Sequence, residues 1–135
     1  MLRGSYNTPG EAYGVFVSGD LAYVADAGSG LQIIDVSNPP SPTFRGSYDT
    51  RAYGVFVSGS LAYLTKKDGG LQILDVSDPS SPQWRGSYYT DGVVLGVFVS
   101  DSLAYVADEY TGLWILRYSG TLPLGATWDV WRKYR

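Results

Sequence analysis

Short apolar runs recur along the chain at a regular beat. Tyr13–Ser18, Leu21–Ala25 and Leu31–Val36 are rich in Val, Ile, Phe and Tyr, and Gly, Pro, Ser or Asp separates them. Such runs bounded by turn residues predict short β-strands. A fourth run, Phe44–Thr50, completes the group. The group returns as Tyr53–Ser58, Leu61–Thr65, Leu71–Val76 and Trp84–Thr90, and then without its fourth member as Leu95–Ser100, Leu103–Ala107 and Leu113–Tyr118. Ser18-Gly19 and Ser58-Gly59 mark tight turns between the first two strands of a group. No stretch of the repeats carries a helical period.

The repetition extends to whole words. Gly-Val-Phe-Val-Ser begins at Gly14, Gly54 and Gly96, Leu-Ala-Tyr at Leu21, Leu61 and Leu103, and Gly-Leu-Gln-Ile at Gly30 and Gly70. The last word returns as Gly-Leu-Trp-Ile at Gly112. Comparing Ala12–Thr50 with Ala52–Thr90, about two thirds of the positions are identical. A period of roughly 40 residues with four short strands per unit predicts the blades of a β-propeller. Each blade is then an antiparallel meander with its first strand innermost. Blade 1 spans about residues 12–50, blade 2 about 52–90 and blade 3 about 93–118.

Leu31-Gln-Ile-Ile-Asp35 and Leu71-Gln-Ile-Leu-Asp75, each running into Val-Ser-Asx-Pro, resemble LVIVD repeats. The third copy, Leu113-Trp-Ile-Leu-Arg117, resembles the way such arrays end. The resemblance covers roughly residues 3–120. It implies a propeller of a kind common in bacterial and archaeal proteins and often extracytoplasmic. It implies little about activity.

Blade 3 lacks the Arg-Gly-Ser-Tyr strand that closes the other two at Arg45 and Arg85, and Arg117 stands where they have Asp35 and Asp75. The same word opens the chain at Arg3. We therefore expect residues 2–8, with Leu2, Arg3, Gly4, Ser5 and Tyr6 at their heart, to be a fourth strand that completes a blade 3. Three blades are too few for a ring, since about 4–8 is usual. An open arc would expose an apolar face at each end, and several hundred Å² at ~25 cal/mol/Å² amounts to about 10 kcal/mol. The expected architecture is thus all-β, a β-propeller with three four-stranded blades per chain completed by oligomerisation. Six blades from a homodimer are expected, with the N-terminal strand supplied by the partner chain; nine blades from a homotrimer, or three blades that belong to a longer array, are the alternatives. The tail, residues 121–135, is expected over the closing seam or partly disordered. Its rival role is the outer strand of blade 3 in the same chain, because Gly125-Ala-Thr-Trp-Asp129 loosely echoes Gly46-Ser-Tyr-Asp49.

Composition narrows the chemistry. Among 135 residues there is no Cys and no His, and the net charge is −3. Ser-His and Cys-His catalysis and the usual zinc sites are excluded, and no disulfide framework exists. The charge argues against nucleic acid as a partner, no apolar run reaches the length of a membrane span, and the polar, strand-like start predicts no signal peptide. No cofactor and no metal site is expected. Carboxylates at Asp26, Asp68, Asp91, Asp108, Glu11 and Glu109 are the only catalytic candidates, for glycoside hydrolysis. Asp26 and Asp108 occupy equivalent repeat positions, which favours stabilisation of a turn, so the chain is read as no enzyme.

Comparison of the copies separates two ends of the ring. The end bearing Asp35, Ser37, Asp75 and Ser77 hardly varies, and these side chains are expected to bond turn backbone. The other end differs almost everywhere. Its loops carry Glu11, Asp26, Arg51, Lys66, Lys67, Asp68, Asp91, Asp108, Glu109 and Tyr110. Drift explains this blandly; a binding surface for a carbohydrate, a small ligand or another protein explains it functionally. Tyr13 and Tyr53 are expected in core or channel-mouth packing, although aromatic platforms for sugar are their other use. Tyr23, Tyr63 and Tyr105 are expected between blades, Phe44 and Trp84 over blade edges, and Trp114 with Trp128 and Trp131 at the closing seam.

Overall fold

The computed structural model describes residues 1–68, 70–90 and 92–118, and the backbone of 128–134. Among the described residues, twelve strands form three four-stranded antiparallel sheets. Sheet 1 is β1 (Gly14–Ser18), β2 (Leu21–Ala25), β3 (Leu31–Asp35) and β4 (Thr43–Tyr48), in that spatial order. Sheet 2 repeats it with β5 (Gly54–Ser58), β6 (Leu61–Lys66), β7 (Gly70–Asp75) and β8 (Gln83–Tyr89). Sheet 3 has β9 (Val94–Ser100), β10 (Leu103–Asp108), β11 (Gly112–Tyr118) and β12 (Trp128–Tyr134). The three repeats of the sequence therefore fold as three meanders.

Turn chemistry sets the local geometry. Gly19 and Gly59 turn the chain between the first two strands of sheets 1 and 2 at φ near +60°, a conformation that glycine adopts at no steric cost. The outer strands are bulged at one place. Gly46 faces Ile33 and Phe44 faces Ile34, so Arg45 is the extra residue. Gly86, Trp84 and Arg85 repeat this opposite β7. The bulged arginine reaches the aspartate that ends the neighbouring strand, Arg45 to Asp35 at 3.8 Å and Arg85 to Asp75 at 2.9 Å.

The sheets pack face to face, with β5 between β1 and β9. Tyr23, Ala25, Leu31 and Ile33 of sheet 1 meet Val57, Ala62, Leu64, Leu74 and Val76 of sheet 2 in one apolar cluster. Tyr63, Leu71 and Ile73 of sheet 2 meet Val99, Ala104, Val106 and Leu116 of sheet 3 in a second. Tyr23 and Tyr63 thus lie between sheets as expected, whereas Tyr105 of sheet 3 is only half-buried. Trp114 does not belong to a closing seam: it is buried in the second cluster with its ring 5.8 Å from that of Tyr88. Phe44 and Trp84 are exposed. The side chains of Trp128 and Trp131 lie outside the described residues.

The two ends of the chain differ in what they pair with. β12, from the tail, pairs antiparallel with β11 and takes the outer place of sheet 3. Residues 128–134 therefore do more than cover a seam; they follow β11 closely in sequence, so the pairing closes a short loop. Residues 1–8 form no strand in the single chain. They lie along the free face of sheet 1, where Leu2 and Tyr6 join Ala22, Val24, Ile34 and Val36 in walling a groove of about 580 Å³.

Candidate functional site: a free sheet face and a tyrosine cleft

The contacts of the N-terminal segment repeat those of an outer strand. Gly46 of β4 lies so close to the Pro79 carbonyl of sheet 2 that a β-carbon there would overlap it. Gly4 stands in the same relation to the Pro39 carbonyl of sheet 1. Pro39 and Pro79 are equivalent positions, as are Gly4 and Gly46 in their Arg-Gly-Ser-Tyr words. Farther along, the Thr8 hydroxyl donates to Asp26 at 2.6 Å. The Thr90 hydroxyl, following β8, donates to Asp108 of sheet 3. Residues 3–8 thus sit on sheet 1 as the outer strand of one sheet sits on the next, without the other three strands of their own sheet.

Exposure shows what those strands would cover. Val57 and Val99, facing a preceding sheet, are 5% and 7% exposed, whereas the equivalent Val17 of sheet 1 is 59% exposed. The opposite face of sheet 3 is open as well. The rings of Phe16, Phe56 and Phe98 form a row across the sheets with centroids 4.5 and 4.8 Å apart, and the row ends at Phe98, 61% exposed. Leu113 of β11 is exposed in the same sheet.

A second feature lies at the variable loop end. Tyr13 and Tyr53, each just before an innermost strand, place their rings 5.1 Å apart. The Lys67 ammonium sits 4.7 Å from the Tyr53 ring centre and 5.5 Å from that of Tyr13, within range of cation–π attraction to both. Arg51 donates to the Tyr53 hydroxyl at 3.4 Å. Glu11, Arg51 and both tyrosines line a polar cleft of about 460 Å³ with Ala27, Gly28 and Ser29.

The sequence candidates therefore divide. Glu11, Arg51 and Lys67 come together around the tyrosine pair. Asp26 is buried, accepting from Thr8 and from the Gly10 amide at 2.7 Å. Asp108 is buried too, and accepts from Thr90 and from the amides of Tyr110 and Thr111, each at 2.9 Å. Burial pushes the Asp108 carboxyl up, but these hydrogen bonds outweigh it and hold the group below its ordinary value. Lys66 is half-buried at the end of β6, while Asp68, Glu109 and Tyr110 are exposed on their own loops and do not line the cleft. Asp91 lies outside the described residues. Among the described residues no group of three or more acidic side chains could hold a metal ion.

At the constant end Asp35 accepts from the Ser37 hydroxyl at 2.6 Å and the Ser37 amide at 2.9 Å. Asp75 accepts from the Ser77 amide at 2.9 Å. Hydrogen bonds from Ser77 and the close Arg85 bring Asp75 down to about 2; Asp35, with Ser37 and a more distant Arg45, is lowered as well. Sequence reasoning missed Thr8 and Val17, and it read Tyr13 and Tyr53 mainly as packing. Their recurrence at one repeat position was the available signal.

Three meanders in series, packed face to face with innermost strands adjacent, define a β-propeller-type module. The LVIVD repeat matches at residues 9–50, 51–90 and 91–116, and the chain belongs to the LVIVD-repeat family. The fold is similar to that in the crystal structure of the computationally designed Ika4 protein, with a TM-score of 0.71 at 8% identity, covering 99% of this chain and 78% of that one. At that identity the likeness concerns the fold alone. No curated protein matches the chain.

Proposed function

We propose that the chain is a non-catalytic scaffold that closes into a propeller ring with a second copy of itself. The free face of blade 1 takes blade 3 of the partner, and the same contact recurs at the second seam, giving six blades; a trimer by the same contact gives nine. The observation that carries this reading is the seating of residues 3–8, which place Gly4 against Pro39 as Gly46 is placed against Pro79. The partner's Phe98 would meet Phe16 and extend the phenylalanine row, and Val17 would be covered as Val57 and Val99 are. Asp26 and Asp108 have their oxygens committed to hydrogen bonds within the fold, which favours a structural over a catalytic role. The ring offers its loops to another protein.

Val17→Lys tests the seam. The side chain is exposed in the single chain, so the variant folds, but a charge cannot be buried there without a partner. In sedimentation velocity the parent runs as an assembly and the variant as a single chain. A variant that assembles like the parent overturns the reading.

A second reading rests on the cleft. Two tilted tyrosine rings flanked by Arg51, Lys67 and Glu11 suit a carbohydrate or small polar ligand, with the rings as a platform and the charges as hydrogen-bonding groups. Titration of an oligosaccharide panel, followed by tyrosine fluorescence, tests it. Binding that Tyr53→Ala abolishes while the fold is retained supports this reading; no binding across the panel counts against it.

A further inference from the structure

We propose that the outer edge of β11 takes two alternative strands, β12 in the single chain and the N-terminal segment Leu2–Thr8 of a second copy in the closed ring. The inference rests on the ring reading above and concerns what closure does to the tail.

The seam geometry asks for glycine. β12 keeps the register and the bulge of β4 and β8, but the position opposite Ile115 is Arg132, where the other outer strands have Gly46 opposite Ile33 and Gly86 opposite Ile73. At Gly46 any β-carbon would overlap the Pro79 carbonyl of the next sheet. Blade 1 offers the equivalent Pro39 carbonyl, and Gly4 already faces it. An outer strand with arginine at that position cannot sit between blade 3 and blade 1 as the other outer strands sit between their sheets. The N-terminal segment has the required glycine and is in place. By the repeat, its Gly4 falls opposite Ile115 and its Tyr6 opposite Leu113 of the partner, as Gly46 and Tyr48 fall opposite Ile33 and Leu31.

Charge favours the other strand. Asp129 of β12 stands opposite Arg117 in the register. The Arg-Gly-Ser-Tyr strands bring an arginine to this end instead, matched to Asp35 or Asp75. Arg3 of a second copy would arrive beside Arg117, like charge against like. The register thus sets opposite charges at this place with β12 and like charges with the N-terminal strand, a threshold for the exchange that the seam overcomes when two copies meet.

Because the chain has no cysteine, engineered pairs report the strand directly. Two variants are compared, Tyr6→Cys with Leu113→Cys, and Leu113→Cys with Tyr134→Cys, oxidised after gel filtration separates assembled from single chains. In the assembled fraction the first pair is expected to link two chains, while the second closes within the chain only in the single-chain fraction. Separately, Arg117→Asp gives Arg3 the acidic partner that Arg45 and Arg85 have, and should lower the concentration for half-assembly by about threefold, the scale of an exposed charge pair. Assembled chains in which the second variant still closes its disulfide within the chain, while the first forms no link between chains, overturn the exchange and leave the ring standing. No assembled fraction at all, even with Arg117→Asp, overturns both.

Discussion

The Thr8 hydroxyl donates a 2.6 Å hydrogen bond to the buried carboxylate of Asp26. This bond pins the N-terminal segment to blade 1, and the Gly10 amide adds a second tie to the same carboxylate. Hydrogen bonds to a charged group contribute about 1.5–3 kcal/mol. Thr8→Val should therefore lower unfolding stability by about that amount and expose residues 1–8 to protease. Denaturant midpoints and a timed digest check it; an unchanged digestion rate would show that this bond does not hold the segment.

Gly46 is required by contact rather than by backbone conformation. Its neighbour is the Pro79 carbonyl of the next blade, and backbone cannot swing aside as a flexible side chain can. Gly46→Ala should separate blades 1 and 2 and destabilise by about 1–3 kcal/mol, the usual cost of overpacking. The shift in thermal midpoint measures it.

Thr65 runs the other way. Its hydroxyl is buried without a hydrogen-bond partner, at the position where the other blades have Ala25 and Ala107. Thr65→Val removes the hydroxyl and keeps the volume. Stability should rise by about 1–3 kcal/mol, the desolvation cost of an unsatisfied group. A fall in the midpoint would mean that the hydroxyl is bonded in solution.

Asp75 should mark the acid limb of stability. Its folded-state pKa of about 2 lies below the ordinary 3.8, so the unfolded chain binds the proton more readily. The stability this provides is full above the ordinary carboxylate value and is lost as pH falls through about 2. Ser77→Ala should raise the Asp75 value toward the ordinary one and flatten that limb. A carboxyl-carbon NMR titration follows the group itself.

Much of this architecture was legible because the repeats are near-copies. The Leu-Gln-Ile words located β3 and β7, and the glycine turns located Gly19 and Gly59. The turn roles of Asp35 and Asp75 followed from their short polar spacing to Ser37 and Ser77. β12 was harder, since Trp128–Tyr134 shares no word with β4 or β8; pairing there depends on the open edge of β11, a tertiary fact. The tyrosine cleft was obscured for a related reason. Lys67 belongs to the loop of blade 2, and only packing between blades brings it over Tyr13 of blade 1. The exposure of Val17 was equally hidden, because its local sequence is identical to that around Val57 and only the missing neighbour distinguishes them.

If the free face of blade 1 receives blade 3 of another copy, the mass in solution shows it. Absolute mass by light scattering after gel filtration tests it, on the intact chain and on one lacking residues 1–8. The intact protein should have twice the chain mass of 14.7 kDa, or three times for the nine-bladed ring, and the truncated one the mass of one chain. An intact protein that stays a folded single chain at every concentration would contradict it.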